Sequence, residues 1–234
     1  MNVVYFEAPA PGGSRSPQPD EPGYRPPSEP IVNAPWPVVT LTVSIVAFFM
    51  AQKAFPFATD VLAFSPVRLL DGHYVGLISS QFLHGSWSHA LMNAAFVLAF
   101  GAPVGRYLGP RASGVASFFL FYLTCGVLAC LGFAAFHWGQ DAAMVGASGA
   151  ASGLMGAAAR LIGGQGRPGK LLSQAVTGMG GAWILINVIM AFTGGALIPG
   201  AGEAGVAWEA HLAGFLAGVL LIGPFGWLAG QREA

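Results

Sequence analysis

Hydrophobic runs recur from about residue 36 to the end of the chain, and they constrain the fold more than any other feature of the sequence. Each is about 20 residues long, enough for a helix to cross the ~30 Å hydrocarbon core of a bilayer. Charged residues make up 9% of the chain and hydrophobic residues 54%, whereas a soluble domain carries about a quarter charged residues. The sequence therefore predicts an all-α membrane protein.

The runs predict six transmembrane helices in one membrane domain over residues 36–230. Their predicted bounds are 36–55, 84–103, 114–136, 144–163, 171–192 and 208–228. Residues 1–35 are rich in proline, glycine, serine and acidic residues, so they predict a disordered tail. Residues 56–81 are too polar to span a membrane and too apolar to stay in water, which predicts an interfacial loop.

Basic residues predict the orientation of the spans. The ends of the second and fourth spans and the connectors after them carry five of them, whereas the opposite side has only Lys53 and Arg68. The five are Arg106, Arg111, Arg160, Arg167 and Lys170. Since positively charged connectors stay in the cytoplasm, the amino terminus is predicted to be cytoplasmic. The short connectors favour a bacterial plasma membrane.

Charge and cysteine content exclude several classes of partner. The formal net charge is zero and no run of five or more basic residues occurs, so nothing indicates binding to nucleic acid. Lipid and other apolar partners are expected instead. Cys125 and Cys130 point to different faces of one helix, which favours packing over a disulfide or a metal pair. No metal or cofactor is expected.

Polar side chains cluster near one end of the second, fourth and sixth spans. They are His84, His89, Asn93, Ser148, Ser152 and His211. Polar groups in lipid are costly and usually face a bundle interior, so six of them at similar depth predict a functional site. Hydrogen bonding between helices, at about 0.6 kcal/mol per bond, is the alternative explanation.

Ser148 has glycine neighbours, which leave space next to its hydroxyl group. It lies between Gly146 and Gly149, which let backbone or a substrate approach the hydroxyl closely. Gly149, Gly153 and Gly156 also form the small-residue pattern that allows close contact between membrane helices.

His211 has a matching pattern, because Gly214 and Gly218 lie on its own helix face. If this face packs against the glycine face of the fourth span, His211 comes within reach of Ser148. A serine beside a histidine is the pairing of nucleophile and base that amide hydrolysis requires.

Taken in order, these residues resemble the signature of the rhomboid family of intramembrane serine proteases. The patterns are His-x4-His-x3-Asn from His84 to Asn93, Gly-x-Ser-Gly around Ser148, and His-x2-Gly-x3-Gly from His211 to Gly218. The resemblance covers roughly residues 36–230 and implies a rhomboid-like bundle of six transmembrane helices.

The resemblance implies a Ser148–His211 dyad without a third, acidic member. It also implies that His89, Asn93 and the backbone N–H of Ser148 hold the oxyanion, and that His84 is a structural residue at the outer rim. The implied substrates are transmembrane segments of other proteins, cut near the outer membrane surface.

The chain departs from the usual family pattern at three places. Val75-Gly76 replaces Trp-Arg in the interfacial loop, Gly105 replaces an acid late in the second span, and Ser152 replaces an aromatic residue. The missing ring suggests the hypothesis that His211 is held loosely.

Three other functions are compatible with parts of the pattern. An inactive rhomboid-like protein that binds membrane partners would keep the same fold. A metal site could use His84, His89 and His211, although no carboxylate or cysteine completes it. A transporter would explain the many glycines, but the intramembrane charges that transporters usually carry are missing.

Overall fold

The computed structural model describes residues 33–194 and 205–231. Secondary structure within these residues is helical, apart from an isolated bridge between Phe64 and Met144. The all-α prediction is therefore confirmed for this part of the chain. Most of the predicted tail, residues 1–35, lies outside the described residues.

The helices are numbered α1 to α9 in chain order. Their bounds are α1 Trp36–Ala54, α2 Ala58–Leu62, α3 Pro66–Leu70, α4 Gly76–Ser79, α5 Trp87–Leu108, α6 Ala112–Phe136, α7 Ser148–Gly163, α8 Gln174–Thr193 and α9 Trp208–Leu228. A short 3₁₀-helix, Ser80–Phe82, follows α4. The segment of the predicted interfacial loop, residues 56–81, contains the three short helices α2, α3 and α4 and the start of the 3₁₀-helix.

Five helices in the described residues are long and apolar enough to cross a membrane, not the six that the sequence predicts. These five are α1, α5, α6, α8 and α9. The fourth predicted span, 144–163, corresponds to α7, which has only 16 residues and is about 24 Å long.

The helix α7 is shorter than predicted because its first residues are not helical. Met144 pairs with Phe64 through backbone hydrogen bonds of 2.8 and 3.0 Å, which hold the segment extended. Gly146 follows with a φ of 128°, a conformation that favours glycine. The helix can therefore begin only at Ser148, which places this residue in its first turn.

Local capping sets the bounds of α5. Its predicted start was residue 84, but the Ser86 side chain accepts a hydrogen bond from the backbone N–H of His89 and caps a helix that begins at Trp87. The helix continues beyond Pro103 and ends at Leu108, because Gly109 follows with a φ of 87°. His84 therefore lies before the helix and not on it.

The core is built around α7. Every residue from Gly149 to Ala159 is buried, because α5, α6, α8 and α9 all pack against this helix. By contrast, α8 exposes large apolar side chains along one face. They are Ile184, Leu185, Ile186, Val188, Ile189 and Phe192. An apolar exterior that faces lipid, with the few buried polar side chains kept inside the bundle, is typical of a membrane protein.

Candidate active site

Ser148 and His211 are joined by a hydrogen bond between two helices. Ser148 is the first residue of α7, and His211 lies in the first turn of α9. Nε2 of His211 is 2.8 Å from Oγ of Ser148. Only 7% of His211 is exposed, whereas Ser148 is partly accessible. A serine hydroxyl can therefore pass its proton directly to an imidazole.

Glycines bring the backbones of α7 and α9 close enough for this bond. A Cβ atom on Gly214 would collide with the carbonyl oxygen of Gly149, and one on Gly218 would collide with that of Gly153. Gly156 meets the backbone of Phe215 in the same way. The glycine faces that the sequence predicts to pack together are therefore in contact.

His89 and Asn93 reach the segment before Ser148 from α5. A Cβ atom on Gly146 would lie 2.8 Å from Nε2 of His89 and 3.6 Å from Nδ2 of Asn93. The backbone N–H of Gly85 donates to Nδ1 of His89 over 3.5 Å, so the ring hydrogen belongs on Nε2. Nδ2 of Asn93 is buried and has no hydrogen-bond partner among the described residues. Two donor groups thus lie beside Gly146, two residues before the serine.

His84 ties the segment before α5 to its neighbours. The backbone N–H of His84 donates to Oε1 of Gln52 over 2.9 Å, and Nε2 of Gln52 donates to the backbone carbonyl oxygen of His84 over 3.0 Å. Nε2 of its ring accepts from the backbone N–H of Ala147 over 3.5 Å. Burial, helped by the neighbouring His89, lowers the pKa of His84 to about 3, so the ring is neutral near pH 7.

Two residues of α8 contact His211, and neither belongs to the sequence patterns that indicate the site. Oδ1 of Asn187 is 2.7 Å from Nδ1 of His211, and the Trp183 ring lies 5.5 Å from the imidazole at an angle of 34°. Asn187 is fully buried. An amide in the middle of an apolar span was the signal that could have identified it, by the same reasoning that selected the other polar residues.

The residues at the three departures from the family pattern are closely packed. Ser152 is fully buried, and its hydroxyl donates to the carbonyl oxygen of Ser148 over 2.7 Å. A Cβ atom on Gly76 would lie 2.9 Å from the backbone of Ala63, and one on Gly105 would lie 2.9 Å from Val38. Asn187 and Trp183 of α8 both contact His211, so the imidazole has two neighbours that the hypothesis of a loosely held histidine did not include. The hypothesis itself stays a prediction.

One acidic residue lies at the start of the sixth predicted span. Glu209 is in the first turn of α9 and is 8% exposed. Its carboxylate is 3.1 Å from Nε2 of His137, at the end of α6. Residues two apart lie on different faces of a helix, so Glu209 does not take part in the contacts of His211.

Comparison with known proteins identifies one family. The family model described as the Rhomboid domain matches residues 71–227, which is more than half of the chain. The match includes every residue of the site described above except Gln52, Ala63 and Val38 at its margin. No curated protein matches the chain.

Proposed function

Because the chain belongs to the rhomboid family and is a multi-pass membrane protein, we propose that it is an intramembrane serine endopeptidase. Its substrates would be other membrane proteins, cut in or near their transmembrane segments. The observation that carries the proposal is the 2.8 Å contact between Nε2 of His211 and Oγ of Ser148. A nucleophile and base in hydrogen-bond contact are what peptide hydrolysis by a serine requires.

In the proposed reaction, His211 takes the hydroxyl proton while Oγ of Ser148 attacks the peptide carbonyl. The resulting oxyanion would accept hydrogen bonds from His89, Asn93 and the backbone N–H of Ser148. His211 then gives its proton to the leaving amine, and water hydrolyses the acyl-enzyme by the same steps. Fixed donors in a site with little water stabilise such charge strongly, at about 3–4 kcal/mol for each donor in other serine hydrolases.

The finer membrane topology is part of the proposal. We infer that α7 is the sixth span and that it can be short because neighbouring helices shield it from lipid. The excess of arginine and lysine beside the ends of α5 and α7 supports a cytoplasmic amino terminus. Ser148 would then lie near the outer surface, where water can reach it. A bacterial plasma membrane is the proposed location.

Covalent labelling of Ser148 tests the proposal. A fluorophosphonate probe should label the purified protein in detergent, and both Ser148→Ala and His211→Ala should prevent labelling. Ser44→Ala is the matched control, since Ser44 lies on α1 and, within the described part of the chain, its hydroxyl donates to Leu41 of its own helix. This control should still be labelled. If it were not, the loss of labelling in the other two variants would not be specific to Ser148 and His211.

Cleavage assays in liposomes extend the test. Ser148→Ala and His211→Ala should each abolish cleavage of a transmembrane substrate, and the double variant should be no worse, because both residues act in one step. If the wild-type protein is folded but neither labels nor cleaves, the alternative of an inactive rhomboid-like protein that binds membrane partners replaces this proposal.

A further inference from the structure

Asn187 is a polar residue that the proposed reaction does not yet use. It lies one helical turn after Trp183 in α8, and its side chain is fully buried. Polar groups inside a membrane are rare and usually functional. Both ends of its amide have partners, Trp183 on the same helix and His211 on α9.

The helix itself fixes the orientation of this amide. Nδ2 of Asn187 donates to the carbonyl oxygen of Trp183 over 2.8 Å, one turn earlier. A flipped amide would bring Oδ1 against that carbonyl, and two oxygens cannot share a hydrogen bond without a proton between them. Oδ1 must therefore face His211, at 2.7 Å from Nδ1.

This orientation determines which nitrogen of His211 carries the proton. Oδ1 can only accept, so the hydrogen of the neutral imidazole must be on Nδ1. Nε2 is then left with its lone pair, and it is Nε2 that lies 2.8 Å from the Ser148 hydroxyl. Only this tautomer can remove the proton from the serine.

We propose that Asn187 is a positioning residue that holds His211 in the tautomer able to act as a base. It does so with a neutral amide, in place of the carboxylate that other serine hydrolases place at this position. The Trp183 ring limits the rotation of the imidazole, so α8 supplies both constraints. The role of His211 as a base rests on the proposed function, whereas the tautomer of His211 can be measured without any catalytic activity.

Nitrogen NMR measures the tautomer directly. In protein labelled with ¹⁵N-histidine, a spectrum above pH 7 should show His211 with its hydrogen on Nδ1, assigned by loss of the signal in His211→Ala. Asn187→Leu, which has a similar shape but no acceptor, should lose this preference. Asn187→Asp should keep it, because a carboxyl group offers an acceptor oxygen in either protonation state.

A wild-type His211 with its hydrogen on Nε2 would overturn the inference, whatever the variants do. So would an unchanged tautomer in Asn187→Leu. Leu185→Ala is the control for substitutions in α8, since Leu185 is 60% exposed on the outer face of this helix. It should leave the His211 signal unchanged.

Cleavage kinetics separate this inference from the proposed function. Asn187→Leu should lower kcat by about a hundredfold, with KM changed by less than about threefold, because a misplaced base impairs only the chemical step. If Ser148→Ala is inactive but Asn187→Leu keeps the wild-type kcat, only the inference fails. If Ser148→Ala remains active, the proposed function fails and the tautomer measurement still stands.

Discussion

At the scale of single residues, Asn93 carries a buried hydrogen-bond donor that lacks a partner among the described residues. Its Nδ2 is buried and has no partner among the described residues, although it lies close to Gly146 and hence to the turn that presents Ser148. Leaving a buried donor unpaired costs about 1–3 kcal/mol. This cost is explained if the partner of Nδ2 is the oxyanion of the proposed reaction, which forms only during catalysis.

We therefore expect Asn93→Ala to act on the transition state and only weakly on substrate binding. Its kcat should fall by about tenfold to several hundredfold with little change in KM, as measured with a transmembrane substrate in liposomes. An unchanged kcat would remove Asn93 from the site. Thermal unfolding in detergent should show that the variant is folded.

Ser152 gives a second prediction at this scale. The residue is fully buried and bonded to the carbonyl of Ser148, so a tyrosine ring has no space there. Overpacking of this kind costs about 1–3 kcal/mol and displaces neighbouring groups. Ser152→Tyr should lower both the unfolding temperature and kcat. A faster variant would mean that Asn187 and Trp183 do not suffice to hold His211.

At the scale of elements, the contact between α7 and α9 decides whether the site exists. The two helices approach so closely that carbonyl oxygens of α7 occupy the positions that Cβ atoms on Gly214 and Gly218 would take. Because these atoms belong to the backbone, no rotamer change can relieve a collision. One added methyl group must therefore separate the helices.

Gly218→Ala tests this dependence. It should lower the free energy of unfolding by about 1–3 kcal/mol and also reduce cleavage, although the residue is nearly two turns from His211. Gly178→Ala in α8 is the control, because no other described residue comes within 4 Å of a Cβ atom there, apart from the glycine's own neighbours and helix backbone. The control should be unchanged or slightly more stable, since alanine favours a helix over glycine by about 1 kcal/mol. Equal stability of the two variants would contradict the packing argument.

At the scale of the whole molecule, the bundle places its reactive residues at one end. Helices α5, α7 and α9 all begin at this end, and each carries part of the site in its first two turns. Four helices surround α7 and separate its buried residues from the lipid. The site is thus held deep in the bundle while Ser148 stays partly accessible.

Cysteine labelling tests the proposed orientation. Gln165 follows α7 and Gln140 precedes it, and both are exposed. A membrane-impermeant maleimide added outside cells should label Gln140→Cys but not Gln165→Cys, and the reverse should hold in inside-out vesicles. The native Cys125 and Cys130 are buried, so they should contribute no signal. The opposite pattern would place the site on the cytoplasmic side.

The sequence by itself determined the class of the protein and most of the site residues. Long apolar runs require lipid-spanning helices, because the backbone must satisfy its own hydrogen bonds there. The spacing of Gly214 and Gly218 after His211 indicated a close helix contact, and spacing within one helix can be read without a structure. The length of α7 was not predictable, since the pairing of Met144 with Phe64 joins distant parts of the chain.

Only the tertiary structure decided what surrounds His211. Which face of α8 points inward depends on how that helix packs, and hydropathy says little where nearly every residue is apolar. For this reason the sequence does not connect Asn187 with His211, and the contacts of α8 with the imidazole appear only in the packed structure. Contacts between helices depend on the rotation of each helix about its axis and on its depth in the membrane. Both are set only when the helices pack together.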